Sequence, residues 1–371
     1  MHILFTSTWF PNKKSPQNGD FVQRMAKAVA LQHQVTFIHV ECIDGLDNEE
    51  IIENRTNNYS EKVVYIPSHK YRWLNFIYKF KKYNQLIKEL PKVDLIHTNI
   101  LSQHTGLVYY QFIFNKIPYV LSEHWTIYSD GFTKFSFFEK LFLRKFANAA
   151  KMIFPVSIHL KNGLINFGIT TQLQIVPNVV DIDLFSMKEN RDNDIIKFIH
   201  VSSLENDHKN IEGILNVIAR LSLTYKFKFT FIGNKKQYID KFIKENNLSE
   251  FVTQISNVPN ETIADYLKQS DCFVLFSNYE NLPCVILEAF SVGLPVITSN
   301  VGGIAEFFPD ENGILVEKGN ENELFVAMEK VLNRKKIFNS MEIRKYAIEN
   351  FSYQKVADMI SKHFHTILEK S

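Results

Sequence analysis

The chain has 371 residues, 45% of them hydrophobic and 22% charged, with a formal net charge of +2. That length exceeds what one core usually serves and predicts two domains. The near-neutral balance excludes a dedicated nucleic-acid binder, and no apolar run approaches the roughly 18 residues of a spanning helix. Three cysteines, Cys42, Cys272 and Cys284, lack metal-ligand spacing and read as buried thiols, not a disulfide framework. The opening Met-His-Ile-Leu-Phe-Thr reads as a buried strand instead of a charged leader, so a cytoplasmic location is expected.

In chain order, short apolar runs at 3–6, 35–40, 63–66, 95–97, 119–122, 152–155 and 174–176 predict strands. Helical periodicity at 21–32, 73–90, 103–114, 137–150 and 158–167 separates most of them. The alternation restarts with strands at 197–201, 229–232, 252–255, 272–276, 295–298 and 313–316. Strands between helices predict parallel sheets covered on both faces, hence an α/β chain of two Rossmann-like domains. The polar run at 181–194 reads as a linker, which gives domains at 1–185 and 186–350 and a final helix at 351–371. Neither half carries G-x-G-x-x-G after its first strand, and no phosphate-binding P-loop occurs. A nicotinamide dehydrogenase or P-loop kinase is thereby excluded.

The stretch from Ser277 to Ser299 holds two carboxylates, Glu280 and Glu288, eight residues apart. Leu275 and Phe276 end a buried run, and Asn281-Leu282-Pro283 reads as a turn with proline at the first helical position. A helix at 285–292, stopped by Gly293, then carries Glu288 more than a turn along it. Open α/β sheets bind ligands outside the carboxyl ends of their strands, often against helix N-termini. Two carboxylates there can accept hydrogen bonds from hydroxyls on two units of one ligand.

This segment resembles the E-x7-E signature of retaining glycosyltransferases of family 4. These have the GT-B fold: two Rossmann-like parallel-sheet domains facing a cleft, the C-terminal helix packing back on the N-terminal domain. Ser291-Val-Gly293-Leu-Pro295-Val fits the element that follows the motif in that family. The resemblance implies that Glu288 grips the ribose of a nucleotide. It sets Glu280, Asn281, Leu282 and Pro283 against the donor sugar, although Pro283 has no amide hydrogen to give. The family usually has Gly-Phe after the first glutamate, where Asn281-Leu282 stands here.

Other segments extend the likeness in order. Gly19, in the polar loop before the first helix, matches a glycine loop that lies beside the donor phosphates and the acceptor. His124 matches a histidine aimed at the donor sugar, and His97 sits at a strand end usual for the family. In the second domain, Lys209 matches a lysine that neutralises the donor diphosphate. Ser203 occupies the place of the partner arginine, so His208 or loop amides are the candidates to substitute. Ile175-Val-Pro-Asn178-Val-Val-Asp181, the Gly302-Gly303 turn with Glu306, and Phe351-Ser352-Tyr353 complete the pattern.

The resemblance implies a retaining, metal-independent glycosyltransferase that acts in cell-surface polysaccharide assembly. It would move a sugar from a nucleotide-diphosphate donor to a glycan or lipid-linked acceptor, with no cofactor. A glycosidase-type carboxylate pair about 5–5.5 Å apart is not what this motif supplies. Asp181-Ile-Asp183 has the spelling of a metal motif but follows the linker turn. Two alternatives stay open: a nucleotide-sugar epimerase or hydrolase on the same plan, and a non-catalytic nucleotide- or glycan-binding relative.

Charge is uneven, with a basic excess in the N-terminal half. Lys70, Arg72, Lys79, Lys81, Lys82, Lys88 and Lys92 alternate with Tyr71, Trp73, Phe76, Ile77 and Phe80. The run from Phe132 to Phe146, with Lys134, Lys140, Arg144 and Lys145, is similar. A solvated basic face with core-facing aromatics is one reading. Peripheral contact with an anionic membrane on its inner face is the other.

Overall fold

The computed structural model describes residues 1–16, 18–129, 135–187, 195–256, 258–335 and 337–369. Phe132, Lys134 and residues 188–194, half of the polar linker, lie outside the described residues. The chain divides into two compact units, Met1–Val179 with Tyr353–Ser371, and Val180–Ser352.

The first unit runs β1 (His2–Ser7), α1 (Asp20–Val29), β2 (Gln34–Ile43), β3 (Glu50–Arg55), β4 (Tyr59–Pro67), α2 (Arg72–Glu89), β5 (Leu95–Asn99), α3 (Thr105–Asn115), β6 (Tyr119–Glu123), α4 (Phe137–Asn148), β7 (Met152–Pro155) and α5 (Ile158–Phe167). Its seven strands are ordered β3-β4-β2-β1-β5-β6-β7. Every pair is parallel except β3 with β4, which is antiparallel. An all-parallel sheet was the expectation, and β3 corrects it. Its side chains, Glu-Ile-Ile-Glu-Asn-Arg, are mostly exposed on both faces, so this edge strand carries no buried alternation. The expected strand at 174–176 is also absent: Gln174 and Val176 donate single backbone bonds to Ile153 and Pro155 without forming a ladder.

The second unit runs β8 (Ile196–Val201), α6 (Asn206–Lys209), α7 (Ile211–Ser222), β9 (Phe227–Gly233), α8 (Gln237–Glu245), β10 (Val252–Ser256), α9 (Asn260–Lys268), β11 (Cys272–Leu275), α10 (Cys284–Ser291), β12 (Val296–Ser299), β13 (Gly313–Val316), α11 (Glu321–Leu332) and α12 (Ser340–Phe351). Its sheet is ordered β10-β9-β8-β11-β12-β13, all parallel. Counted within the unit, that is the doubly wound order 3-2-1-4-5-6, whose direction reverses between its first and fourth strands.

The last helix, α13 (Tyr353–Glu369), belongs to the first unit. Its Val356, Ile360 and Phe364 join the core under β1 and β2, and Ser361 hydrogen-bonds His33 of the α1–β2 turn at 2.9 Å. The second unit's core is rich in phenylalanine from adjacent strands, including Phe198, Phe229 and Phe231. Buried rows of this kind hold a parallel sheet whose faces are both covered.

Candidate active site

At the strand-order reversal of the second unit, the loops after β8 and β11 meet. The loop after β8 ends in the one-turn helix α6, whose last residue is Lys209. Asn210, left-handed at φ 49°, breaks the helix and caps α7 by accepting from Gly213 N at 3.3 Å. Lys209 therefore closes a short helix and does not open a long one. That is a favourable C-terminal placement for a cation.

From the facing loop, Glu280 forms an ion pair with Lys209. Both side chains are largely buried, at 11% and 7% exposure. Ser277 Oγ donates to Glu280 Oε1 at 2.8 Å, and His208 Nε2 lies 3.7 Å from the same oxygen. Burial alone would raise the Glu280 carboxyl, but the Lys209 ammonium and the His208 contacts outweigh it and hold its pKa at about 2. His208 Nε2–H donates to the Tyr279 carbonyl at 2.8 Å, and its ring stacks on Tyr279 at 4.2 Å. Asn278 donates its backbone N–H to the His208 carbonyl at 2.8 Å and its side-chain amide to the Asp207 carbonyl at 3.0 Å. The two loops are thus sewn together around one fixed carboxylate.

A third segment supports them. Gly302, at φ 59°, packs so closely on the Glu280 carbonyl that a Cβ there would stand 1.6 Å from its oxygen. Only glycine fits, because it combines a left-handed backbone with no side chain. The next residue, Gly303, donates its N–H to the Asn281 carbonyl at 3.0 Å.

Asn281, Leu282 and Glu288 are all buried, with Glu288 on α10 at 6% exposure. Pro283 is extended, at ψ 125°, and caps α10 as the residue before it, instead of filling its first turn as expected. Ser203 is exposed on the β8–α6 loop and does not join the Lys209–Glu280 cluster. Cys42 and Cys272 are buried thiols as expected, whereas Cys284, at the start of α10, is partly exposed. Asp181 is engaged as a turn cap: its Oδ1 accepts from the backbone of Asp183 at 3.2 Å and of Leu184 at 3.0 Å.

In the first unit the strand order reverses between β1 and β5, and the following loops meet there through hydroxyls. Thr8 Oγ1 and Ser102 Oγ lie 2.8 Å apart. Gly19 precedes α1 at φ 76°, and a Cβ on it would stand 2.4 Å from the Trp9 backbone, so the loop closes only over glycine. The first turn of α1 holds Asp20, paired with the buried Arg24 at 2.5 Å. One strand further along the sheet, His124 follows β6. Its Nδ1–H donates to Asn178 Oδ1 at 2.8 Å, and its ring packs on Phe21 at 4.6 Å. Burial lowers its pKa to about 4 against the opposing Asn178 bond, so the ring is neutral near pH 7.

Sequence reasoning missed the group that holds this loop. Glu123 is fully buried and accepts backbone N–H bonds from Leu101 at 2.7 Å and from His124 and Trp125, each at 2.8 Å. Burial raises its pKa to about 7 despite those three donors. Ser277 and Asn178 were likewise not singled out as partners of Glu280 and His124. His97 is structural, packed on Phe5 at 4.4 Å and bonded to Ser122 Oγ at 2.7 Å. Along α2, Lys79 and Lys82 are engaged with Glu41 at 3.1 Å and Glu49 at 2.6 Å, while Trp73, Phe76 and Tyr78 are exposed. Those three aromatics do not face the core.

A doubly wound sheet with a buried Lys209–Glu280 pair at its strand-order reversal is the plan of a ligand-binding α/β enzyme. Two family models match the chain: "Glycosyl transferases group 1" over residues 181–351 and "Glycosyltransferase Family 4" over residues 19–184. The chain belongs to this glycosyltransferase family and has the GT-B fold. It is 26% identical over 326 residues to an uncharacterized glycosyltransferase of Methanocaldococcus jannaschii, covering 84% of this chain and 87% of that protein. It is also 27% identical over 192 residues to the MMP alpha-(1->4)-mannosyltransferase of Mycolicibacterium hassiacum, covering 50% of this chain and 46% of that one. Sucrose-phosphate synthase of Thermosynechococcus elongatus superposes with a TM-score of 0.80 at 18% identity over all of both chains. Anabaena HepE, solved with UDP and glucose, gives 0.75 at 17% identity over 98% of this chain and 99% of its own.

Proposed function

We propose that this glycosyltransferase is retaining and metal-independent, and that it moves a sugar from a nucleoside-diphosphate donor to a glycan or lipid-linked acceptor. Its setting would be the cytoplasmic assembly of cell-surface polysaccharide. The observation that carries the reading is the Lys209–Glu280 pair at the strand-order reversal, where doubly wound sheets receive nucleotides. An ammonium has three N–H donors, so Lys209 can hold Glu280 and still present hydrogens to a departing diphosphate. Glu280, ionised and anchored by Ser277, is suited to orient sugar hydroxyls. Glu288, one helical turn further on, is the candidate for the ribose.

His124 is assigned to the donor sugar by the family likeness, and its neutral ring fits that role. With Nδ1–H directed at Asn178, the tautomer makes Nε2 the acceptor nitrogen of the ring. Departure and attack on one face of the sugar would give retention, with the leaving phosphate taking the acceptor proton. Metal independence follows from assigning the leaving-group charge to Lys209. The nucleotide donor draws support from HepE, which was solved with UDP and glucose. A lipid-linked acceptor draws support from the phosphatidylinositol N-acetylglucosaminyltransferase GPI3 subunit of Saccharomyces cerevisiae, 25% identical over 202 residues.

A thermal-shift screen against UDP, GDP and their sugars, followed by product analysis with EDTA present, tests the reading. A bound ligand raises apparent stability with its affinity. The expected result is a shift with one nucleoside diphosphate and a transferred α-linked sugar. Free sugar or an epimerised donor as sole product would refute it.

A further inference from the structure

The first unit carries a cavity of about 670 Å³ between α2, α3 and α4, a size within the ~300–1,000 Å³ range of ligand sites. Its walls include Phe80 from α2, Gly106 and Tyr110 from α3, Phe142 and Phe146 from α4, and Trp125. Two polar wall residues already have partners. Glu139 accepts from Ser136 N at 2.9 Å and from its Oγ at 2.8 Å in the cap of α4, and Ser102 is bonded to Thr8. Apart from Gln103 and the polar tips of Tyr110 and Trp125, what remains is an aromatic and aliphatic lining.

The surroundings of the cavity are equally unusual. Phe76 (43% exposed), Phe142 (53%), Phe138 (69%) and Phe137 (77%) stand open on the same helices. A surface patch of this kind marks an interaction site. The cations on these helices fall into two groups. Lys79 and Lys82 are neutralised by glutamates, whereas Lys81 lies 5.9 Å over the Tyr78 ring and Lys145 lies 5.6 Å over the Tyr109 ring. Trp125 joins the cavity to the candidate site: it neighbours His124, accepts its loop position from Glu123, and meets Trp9 at 5.6 Å.

We infer that this cavity holds the aliphatic chain of a lipid-linked acceptor, entering past the exposed phenylalanines of its rim. Burial of a linear hydrocarbon needs only apolar walls, and the run of rings from Phe142 to Trp125 leads from the open face to the His124 loop. The identity of the chain as an acceptor rests on the glycosyl-transfer reading, whereas occupancy of the cavity can be measured without turnover.

The probe is a calorimetric titration of the whole chain with n-alkyl maltosides of eight, ten and twelve carbons below their micelle concentrations. One saturable site is expected, tightening about fourfold per added methylene, or roughly fifteenfold per two carbons. Gly106→Leu should abolish it. A Cβ there stands 3.2 Å from the Phe146 ring, and leucine favours the helix that glycine weakens. Phe142→Asp, at an exposed rim position, should weaken it by tenfold or more while the fold stands. With a lipid-linked acceptor, the same variant should raise KM and leave both kcat and nucleoside-diphosphate affinity unchanged.

Absence of saturable binding at every chain length, or equal binding by Gly106→Leu, overturns the assignment and leaves glycosyl transfer intact. Sedimentation with phosphatidylglycerol vesicles that persists in Gly106→Leu, without binding of single chains, gives the face to a bilayer surface and also overturns it. Loss of nucleoside-diphosphate binding by the parent protein would strike the proposed function instead.

Discussion

The two sheet reversals of this molecule solve the same problem with opposite electrostatics. In the second unit an ammonium and a carboxylate are buried together, and the carboxyl is driven down to about pH 2. In the first unit, on the loop one strand beyond the reversal, burial works against charge instead. His124 is lowered to about 4 by burial, and Glu123 is raised to about 7 and surrounded by backbone donors. A leaving diphosphate needs a preorganised charge, whereas sugar hydroxyls can be held by charged or neutral partners of fixed geometry. Both kinds of site can stand on one doubly wound plan because the loops, not the strands, carry the chemistry.

The sharpest way to break this contrast is Lys209→Ala. It leaves Glu280 buried without its cation, which costs about 3–5 kcal/mol of stability. It should also lower kcat by about 10²–10³-fold if Lys209 meets the leaving group. The pair Lys209→Met with Glu280→Gln should recover most of the stability, read by chemical denaturation, without recovering turnover. Recovery of both would make the ion pair a structural device only.

Acid should separate the units next. In the first unit His39, His97 and His104 are buried and lowered to about 4, 3 and 3, and His33 and His124 to about 4. A group with a depressed folded pKa is less protonated when folded, so stability is lost as pH falls from about 6.5 toward 4. Each fully buried ring contributes up to about 3 kcal/mol over that range. Glu123 opposes them, since its raised pKa makes the fold gain stability as pH falls from about 7 to 4.5, but it is one group against five. The second unit has His200 lowered to about 4, and its Glu280 pair weakens only as pH drops from about 4.5 toward 2. Hydrogen exchange at pH 7 and pH 5 should therefore show β1, β2 and β5 loosening before β8 and β11. The reverse order would contradict the account.

Smaller effects sharpen the assignment of single groups. Glu288→Gln should weaken nucleoside-diphosphate binding about 10- to 100-fold, the worth of one hydrogen bond to a charged group, with little change in kcat. Ser203→Arg restores the cation expected at that loop, and because the position is exposed it should tighten binding by no more than about fivefold. Both are read by calorimetric titration.

Much of this was legible in the chain itself, and the exceptions have physical causes. A buried strand, a turn and a helix in strict order place Glu280 and Glu288, whereas their roles and that of Lys209 come from the resemblance to family 4. Strand β3 escaped notice because an edge strand exposed on both faces has no hydrophobic period. The break between α6 and α7 is silent in the sequence because nothing local shows that Asn210 turns left-handed. Glu123 gives no signal in one dimension, since its three donors come from its own turn and from a loop 22 residues away. Pro283 fits either of two adjacent cap positions, and only the backbone angle decides.

The central claim is that the loop from Ser277 to Glu288 receives a nucleoside diphosphate through Glu288, with Lys209 at its phosphates. Peptide-level hydrogen exchange of the whole protein, with and without UDP or GDP, tests it directly. The account predicts slowed exchange across 203–213 and 277–288 with the nucleotide that binds, and loss of that protection in Glu288→Gln at the same nucleotide concentration. Tight nucleotide binding that leaves both segments exchanging as before would contradict it.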